Sequence, residues 1–267
     1  MRTRALVVIV ALLVAPALFS QCMGKFRNGI IHAFAETAGG GGSQWTTDVI
    51  ITDVGAPKGR AFNDVEIWVW INTAGGLRSI GKHYSIPAGG TLRIPNVLSD
   101  IGAPTTGVLI GHISATYDVV ANARIYNTQA SRGDLKPGFG QGLPAIDENK
   151  GLATGEWTQF PVPTNPNEAR VNVGVANISW SSATVLIELF DHAGNKYYSN
   201  TLMLQMHEVK QVQVNGSVPS GSSPGNVKVT VQYASGNAIY PYVSVADNVP
   251  TGSGLPTSDP SFFFITR

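Results

Sequence analysis

The sequence predicts an all-β chain, two tandem antiparallel β-sandwiches behind an N-terminal signal segment, and three observations carry that prediction. The strand pattern occurs twice: Val65-Glu66-Ile67-Trp68-Val69-Trp70-Ile71 ahead of Asn72-Thr73-Ala74-Gly75 is matched by Val185-Leu186-Ile187-Glu188-Leu189-Phe190 ahead of Asp191-His192-Ala193-Gly194. Flanking segments match as well, 47–53 with 171–177 and 119–127 with 239–247. The offsets drift by a few residues, as they do when only loops change length. Turn signals recur every 10–15 residues or about that, with no 3.6-period apolar stripe between them, which marks an all-β sandwich or barrel. Composition agrees: 43% hydrophobic and 13% charged residues, with 30 glycines and 16 prolines in 267 residues, suit two cores of short strands joined by tight turns.

Residues 1–21 read as a signal peptide. Met1-Arg2-Thr3-Arg4 is a short basic start, and residues 5–19 are apolar apart from Pro16. That run is shorter than the roughly 20 residues a membrane-spanning helix needs. Ser20 offers a small residue for cleavage before Gln21; an uncleaved N-terminal anchor is the rival reading. Cys22 is the one cysteine, so no intramolecular disulfide can form and each core must hold without a staple. Its place after the apolar run suggests a lipidated N-terminus, but Gln21 departs from the small residue that a lipoprotein signal carries before its cysteine. Residues 22–44 read as a flexible tether because of Gly39-Gly40-Gly41-Gly42-Ser43. Within it, Phe26, Ile30, Ile31 and Phe34 suggest a short amphipathic turn or the flank of the leader.

The first module is expected over residues 45–132, with strands at 46–52, 65–71, 78–86, 91–97, 108–115 and 119–126. A Gly/Pro-rich segment over 133–156 follows. Its Leu135, Phe139, Leu143 and Ile146 are too apolar for a solvated linker and predict packing along a module edge. The second module, 157–267, repeats the pattern at 170–176, 183–190, 196–204, 208–214, 226–232, 239–246 and 262–265. Six or seven strands per unit fit an immunoglobulin-like or fibronectin-III-like sandwich, without the Cys…Trp…Cys spacing of antibody domains. In Ile67-Trp68-Val69-Trp70-Ile71 both faces are apolar, so the outer face needs a cover, by the other module or by another molecule. Ile67, Val69 and Leu186 are expected core positions. The last strand, Phe262-Phe263-Phe264-Ile265, predicts either closure of its own sheet or self-association through an exposed edge.

Chemistry is sparse. Net charge is +1 with no basic tract, which argues against nucleic acid as a partner. The histidines (His32, His83, His112, His192, His207) show no metal-ligand spacing. His207-Glu208 begins like a zincin helix, but Gln211 stands where the second histidine belongs. Gly221-Ser222-Ser223-Pro224-Gly225 reads as a turn with nothing to activate a serine. Asp147-Glu148 are adjacent carboxylates, yet neighbours on an extended chain point to opposite faces. Arg132-Gly133-Asp134 is the tripeptide that integrin ligands display and reads equally as a turn capped by Asp134. No catalytic residue and no cofactor is predicted, so the expectation is a protein that is not an enzyme. Asp247, Asn248 and Asp259 flank a loop and are the one candidate Ca²⁺ set, against the reading that they cap turns. Trp68 and Trp70, on one strand face, are the candidate sugar-stacking platform, against burial in packing.

Segment by segment, 47–51, 183–194 and 244–248 resemble secreted bacterial proteins built from tandem immunoglobulin-like modules. That resemblance implies a structural, adhesion or scaffold role in the extracellular space or cell envelope, and it transfers no functional residue. An extracellular protein or glycan is the implied partner, and membrane contact would come only through the leader or Cys22. The alternatives are a carbohydrate-binding module and an accessory domain pair of an extracellular hydrolase system.

Overall fold

The computed structural model describes residues 24–38, 44–55, 59–104, 107–128, 140–219, 224–247, 250–251, 255–256 and 261–264. The described chain is all-β, with several antiparallel sheets and one four-residue helix. The predicted leader 1–21, Cys22, the glycine run 39–43 and Arg132-Gly133-Asp134 lie outside these residues.

The N-terminal half comprises β1 (Phe26–Ala38), β2 (Gln44–Asp53), β3 (Phe62–Thr73), β4 (Gly76–Pro87), β5 (Thr91–Ile94), α1 (Val97–Asp100), β6 (Gly107–Asn127), β7 (Gly140–Pro144) and β8 (Ile146–Asp147). β3 shows why the period-two pattern makes a strand: Val65, Ile67, Val69 and Ile71 are buried, while Glu66, Trp68 and Trp70 between them stay partly open on the other face. The strands join in one eight-stranded sheet in the order β4-β3-β6-β1-β2-β5, with β7 added on β6 and β8 on β1.

Three expectations are corrected here. The tether predicted over 22–44 gives way to β1. Phe26, Ile31 and Phe34 enter the core of the N-terminal half, and Ile30 is buried on the opposite face. Standing between the apolar run 5–19 and the glycine run 39–43, with its apolar residues at no fixed period, this segment has nothing to announce a strand. The two strands read at 108–115 and 119–126 are one, β6, which pairs with β3 and β1 through its first part and with β2 and β7 through its second. This long strand welds into a single sheet what was expected as two. Residues 140–147, assigned to the interdomain segment, instead pair as β7 and β8, burying Leu143 and Ile146.

The C-terminal half contains β9 (Trp157–Val162), β10 (Ala169–Asn177), β11 (Ala183–Asp191), β12 (Lys196–Leu204), β13 (Val209–Gln213), β14 (Gly225–Tyr233), β15 (Ile239–Asp247), the small pair β16 (Pro250–Thr251) and β17 (Leu255–Pro256), and β18 (Ser261–Phe264). Two four-stranded sheets, β13-β10-β15-β18 and β12-β11-β14-β9, share one buried cluster that includes Phe160, Val173, Ile187, Val229 and Val243. β9 was not read as a strand; its Pro161 is tolerated because β9 is a sheet edge. Leu186 is half-buried, and Ile187 takes the core place beside Val185 and Leu189. β14 and β15 lie in different sheets, whereas the sixth and seventh strands of a constant-type immunoglobulin domain share one.

Residues aligned in the sequence hold matching registers. Asp53 faces Val119 and Trp45 faces Asn127 on β2–β6; Asn177 faces Ile239 and Ala169 faces Asp247 on β10–β15. Val65 faces Ala115 on β3–β6, and Val185 faces Val231 on β11–β14. Ala123 faces Leu143 on β6–β7, and Val243 faces Phe263 on β15–β18. The corner is where the halves differ: residues 116–118 separate Ala115 from Val119, whereas residues 232–238 separate Val231 from Ile239. The short corner keeps β6 continuous, and the longer one, with Gly236 at positive φ, breaks it into β14 and β15.

Candidate functional site

The outer face of β3, β6 and β1 carries Trp68 and Trp70, Ile110 and His112, and Ile30 and His32. Across from it stand β10 and β15 of the other half. Ile30, Ile110 and Ile146 pack with Ala176 and Tyr240 in a third buried cluster, so the two halves meet along an apolar seam. The outer face of β3, beside this seam, is covered in part from within the chain, by the rings of His112, His207 and Trp180.

Both tryptophans of the predicted platform lie in this seam. Trp68 stacks on His112 at 5.3 Å between ring centroids, with planes 14° apart. Trp70 stacks on His207 at 5.0 Å and 29°, and meets the edge of Trp180 at 4.8 Å. His207 also touches Trp180 at 4.6 Å and His112 at 5.7 Å. Further along, His32 makes edge contacts with Tyr240 and Tyr242 at 5.9 and 5.6 Å. The three histidines buried among the described residues all sit here, while His83 and His192 are exposed.

Local structure explains how the seam side chains are held. Asn177, fully buried at the end of β10, donates through Nδ2 to the carbonyls of Ser181 and Gln205 at 2.9 and 2.8 Å. Its Oδ1 accepts from the Ser179 N–H and hydroxyl at 3.0 and 2.7 Å. One amide thus pins the loop that presents Trp180 and the turn that presents His207. Asp53, the aligned residue on β2, is buried as well and accepts from Arg60, Asn63 and the Gly89 N–H at 2.5, 2.9 and 2.7 Å. Burial pushes its carboxyl up, but these donors win and hold it below the usual carboxylate range. Gly174 on β10 leaves room for the Tyr242 ring: a Cβ there would lie 2.0 Å from it. Tyr242 in turn donates to Gln211 Oε1 at 3.2 Å, and the Tyr240 hydroxyl donates to the Glu148 carbonyl.

Electrostatically the seam is a place for neutral imidazole. Burial pulls His32 and His112 down to about 3, with His207 adding to the effect on His112, and pulls His207 down to about 4. His112 is 5% and His207 9% exposed. Nε2 of His112 and both ring nitrogens of His207 have no hydrogen-bond partner. Stacking on tryptophan would favour an imidazolium by about 0.5–2 kcal/mol. Burying an unpaired charge costs several, so the uncharged form wins. His207 also adopts φ of 51°, a left-handed backbone that costs a non-glycine residue about 1–3 kcal/mol and persists only where its surroundings impose it.

The seam offers little room. A cavity of about 50 Å³ beside it is lined by His32, Lys150, Thr158, Trp157 and Tyr240 among others, far short of the ~300 Å³ at which ligand pockets begin. Trp68 and Trp70 each give a face to a histidine, while Trp180 remains 67% exposed at the rim. No group of three His, Cys, Asp or Glu that could hold a metal occurs among the described residues. Asn248, Asp259 and the side chain of Asp247 lie outside them. Asp147 accepts from the Asn149 N–H at 2.9 Å in a turn, and His207-Glu208 is a turn followed by a strand, which removes the zincin-like reading. Among the described residues no helix is long and apolar enough to cross a membrane. The histidine and tryptophan cluster was not foreseen, because its members are scattered over β3, β6 and two loops; only the two-faced apolar pattern of β3 pointed to a covered surface.

No family model matches the sequence, and no curated protein matches it either. Among solved structures the chain is similar to a Parabacteroides distasonis protein assigned as secreted, at 7% identity and TM-score 0.22, covering 76% of this chain and 67% of that one. It is also similar to Bacteroides uniformis β-glucuronidase 2, at 10% identity and TM-score 0.18, covering 88% of this chain and 28% of the enzyme. A glycosyl hydrolase family 2 member from Bacteroides cellulosilyticus follows at 13% identity and TM-score 0.17, with 90% and 29% covered. The chain spans under a third of the length of either hydrolase, and likeness at these scores carries no argument about activity.

Proposed function

We propose that this chain is a non-enzymatic, secreted or envelope-associated protein in which two copies of one β-module are locked side by side as a structural, adhesive or scaffold element. The observation that carries the reading is the seam: the aromatic and titratable side chains that could have formed a site are spent on joining the halves. Matching registers in β2–β6 and β10–β15 support the duplication. The basic start and apolar run of residues 1–19 support export. The test is fractionation of cells expressing the full chain, together with assays of the exported protein on chromogenic glycoside and ester substrates. Export without turnover is expected; retention in the cytoplasm, or turnover that follows the purified protein, overturns the reading.

A glycan-binding role is the second reading, and one observation favours it: Trp180 and Trp157 are 67% and 54% exposed. Flat, open indoles suit stacking on sugar rings, so the platform would be Trp180 or Trp157 rather than Trp68 and Trp70. Quenching or shift of tryptophan fluorescence by oligosaccharides, lost in Trp180→Ala or Trp157→Ala, would establish it.

A further inference from the structure

We infer that the seam is an acid-sensitive latch: neutral His112 and His207 hold the two halves together, and protonating them lets the halves separate while each stays folded. Its basis is geometric. His112 belongs to β6 of the N-terminal half and His207 to the β12–β13 turn of the C-terminal half, and their rings meet 5.7 Å apart. Both are buried and both carry ring nitrogens without partners. A second proton on either ring would be a buried N–H with no acceptor, and two charged rings at this spacing repel.

The groups facing the pair leave a charge uncompensated. From β3 come Trp68 and Trp70, and from the β10–β11 loop Trp180. Glu66, on the same strand as the two indoles, sits 3.6 Å from exposed His83. Glu208, next in chain to His207, accepts from the Gln205 N–H at 2.7 Å and pairs with Lys210 at 3.1 Å. β1 places Ile30 opposite His112, with His32 two residues on along the same strand. Around His32 stand Tyr240, Tyr242 and Lys150, and the Tyr240 hydroxyl is bound to the Glu148 carbonyl. Asp147 and Glu148 lie beyond that hydroxyl, where Glu148 is held up by burial and by Asp147.

Separated, both imidazoles return towards the ordinary value of 6.5; closed, they stay at about 3 and about 4. Between pH 6 and 4, or about that range, opening therefore takes up two protons on this pair, which alone should raise its equilibrium constant roughly 100-fold per pH unit, and buried His32 on the same seam adds up to one more. The three seam tryptophans report opening by fluorescence, small-angle scattering reports separation of the halves, and far-ultraviolet circular dichroism reports retained strands. Expected for the full chain is an expansion on acidification within that window at unchanged strand signal, with a proton slope between two and three. His112→Gln with His207→Asn, both neutral and the second tolerant of left-handed φ, should lower the slope by two, leaving at most the one proton of His32; should the double variant not fold, His207→Asn alone should lower it by one. A wild-type chain that keeps its shape until strands and shape are lost together overturns the proposal. So does a folded variant that expands with the wild-type pH dependence.

Discussion

At the residue scale the clearest consequences follow from side chains with no slack. Ile67 is fully buried in the N-terminal core, and Ile187 holds the corresponding place in the other half. Truncating either to alanine should cost about 2–4 kcal/mol, read as a lowered midpoint in urea unfolding. Asn177→Ala should cost about 1–3 kcal/mol by stranding the Ser181 and Gln205 carbonyls, and it should also shift seam tryptophan fluorescence because both loops lose their tie. Gly174→Ala is a different test. Its methyl would collide with the Tyr242 ring, so the ring must leave the backbone it lies on, and the variant should loosen the seam while leaving the N-terminal core as stable as before. The sequence made Ile67 and Val69 legible, since aliphatic residues alternate with Glu66, Trp68 and Trp70 along β3. It misplaced the core position beside them, because Leu186 and Ile187 are both aliphatic and only register tells which one faces inward.

At the element scale, strands with alternation or a long apolar run between turns were legible, β10 and β15 among them although both their faces are buried, and β1 and β9 were not. β2, β3, β10 and β11 announce themselves by period or by long apolar runs between turns. β1 was hidden by its position after the apolar run 5–19 and by lacking alternation. β9 was hidden because Trp157, Gln159 and Pro161 all face outward, leaving Thr158, Phe160 and Val162 as the buried set. These missed strands occupy corresponding places, β1 against the first part of β6 and β9 against β14. The seam was illegible for another reason: its side chains come together only where the two halves of the chain meet, and such a meeting leaves no period in the sequence. β18 carries the element-scale prediction. It pairs with β15 from Tyr242 to Val245 within its own chain, so deleting residues 262–267 should destabilise the C-terminal half and leave the unfolding of the N-terminal half unchanged. Calorimetry resolves the two transitions. A truncated chain that keeps both transitions and loses an oligomer instead would assign β18 to exchange between copies.

At the scale of the whole molecule, acid works against every charged arrangement buried in it. Imidazoles held down in the folded chain bind protons more readily once unfolded, so their contribution is full above 6.5 and fades as pH falls towards about 4. Asp48 and Asp53 act in the same direction at lower pH: burial opposes their charge, but their donors hold both carboxyls down, and that stabilisation is lost on protonation. Through His112 and His207 global stability should therefore fall by about 4 kcal/mol between pH 7 and 5, and further through His32, measured as the shift in urea midpoint. The corner between layers has a mechanical consequence. In the N-terminal half β6 runs without interruption, paired with β3 and β1 along its first part and with β2 and β7 along its second, so a load along the chain must shear paired strands on both sides at once. In the C-terminal half β18 hangs on one neighbour at a sheet edge, and the layers are joined through a seven-residue corner, 232–238, with glycine at its turn. Tension between the ends should peel β18 away first, one pair at a time, so that this half yields as a tear while the other still bears the load.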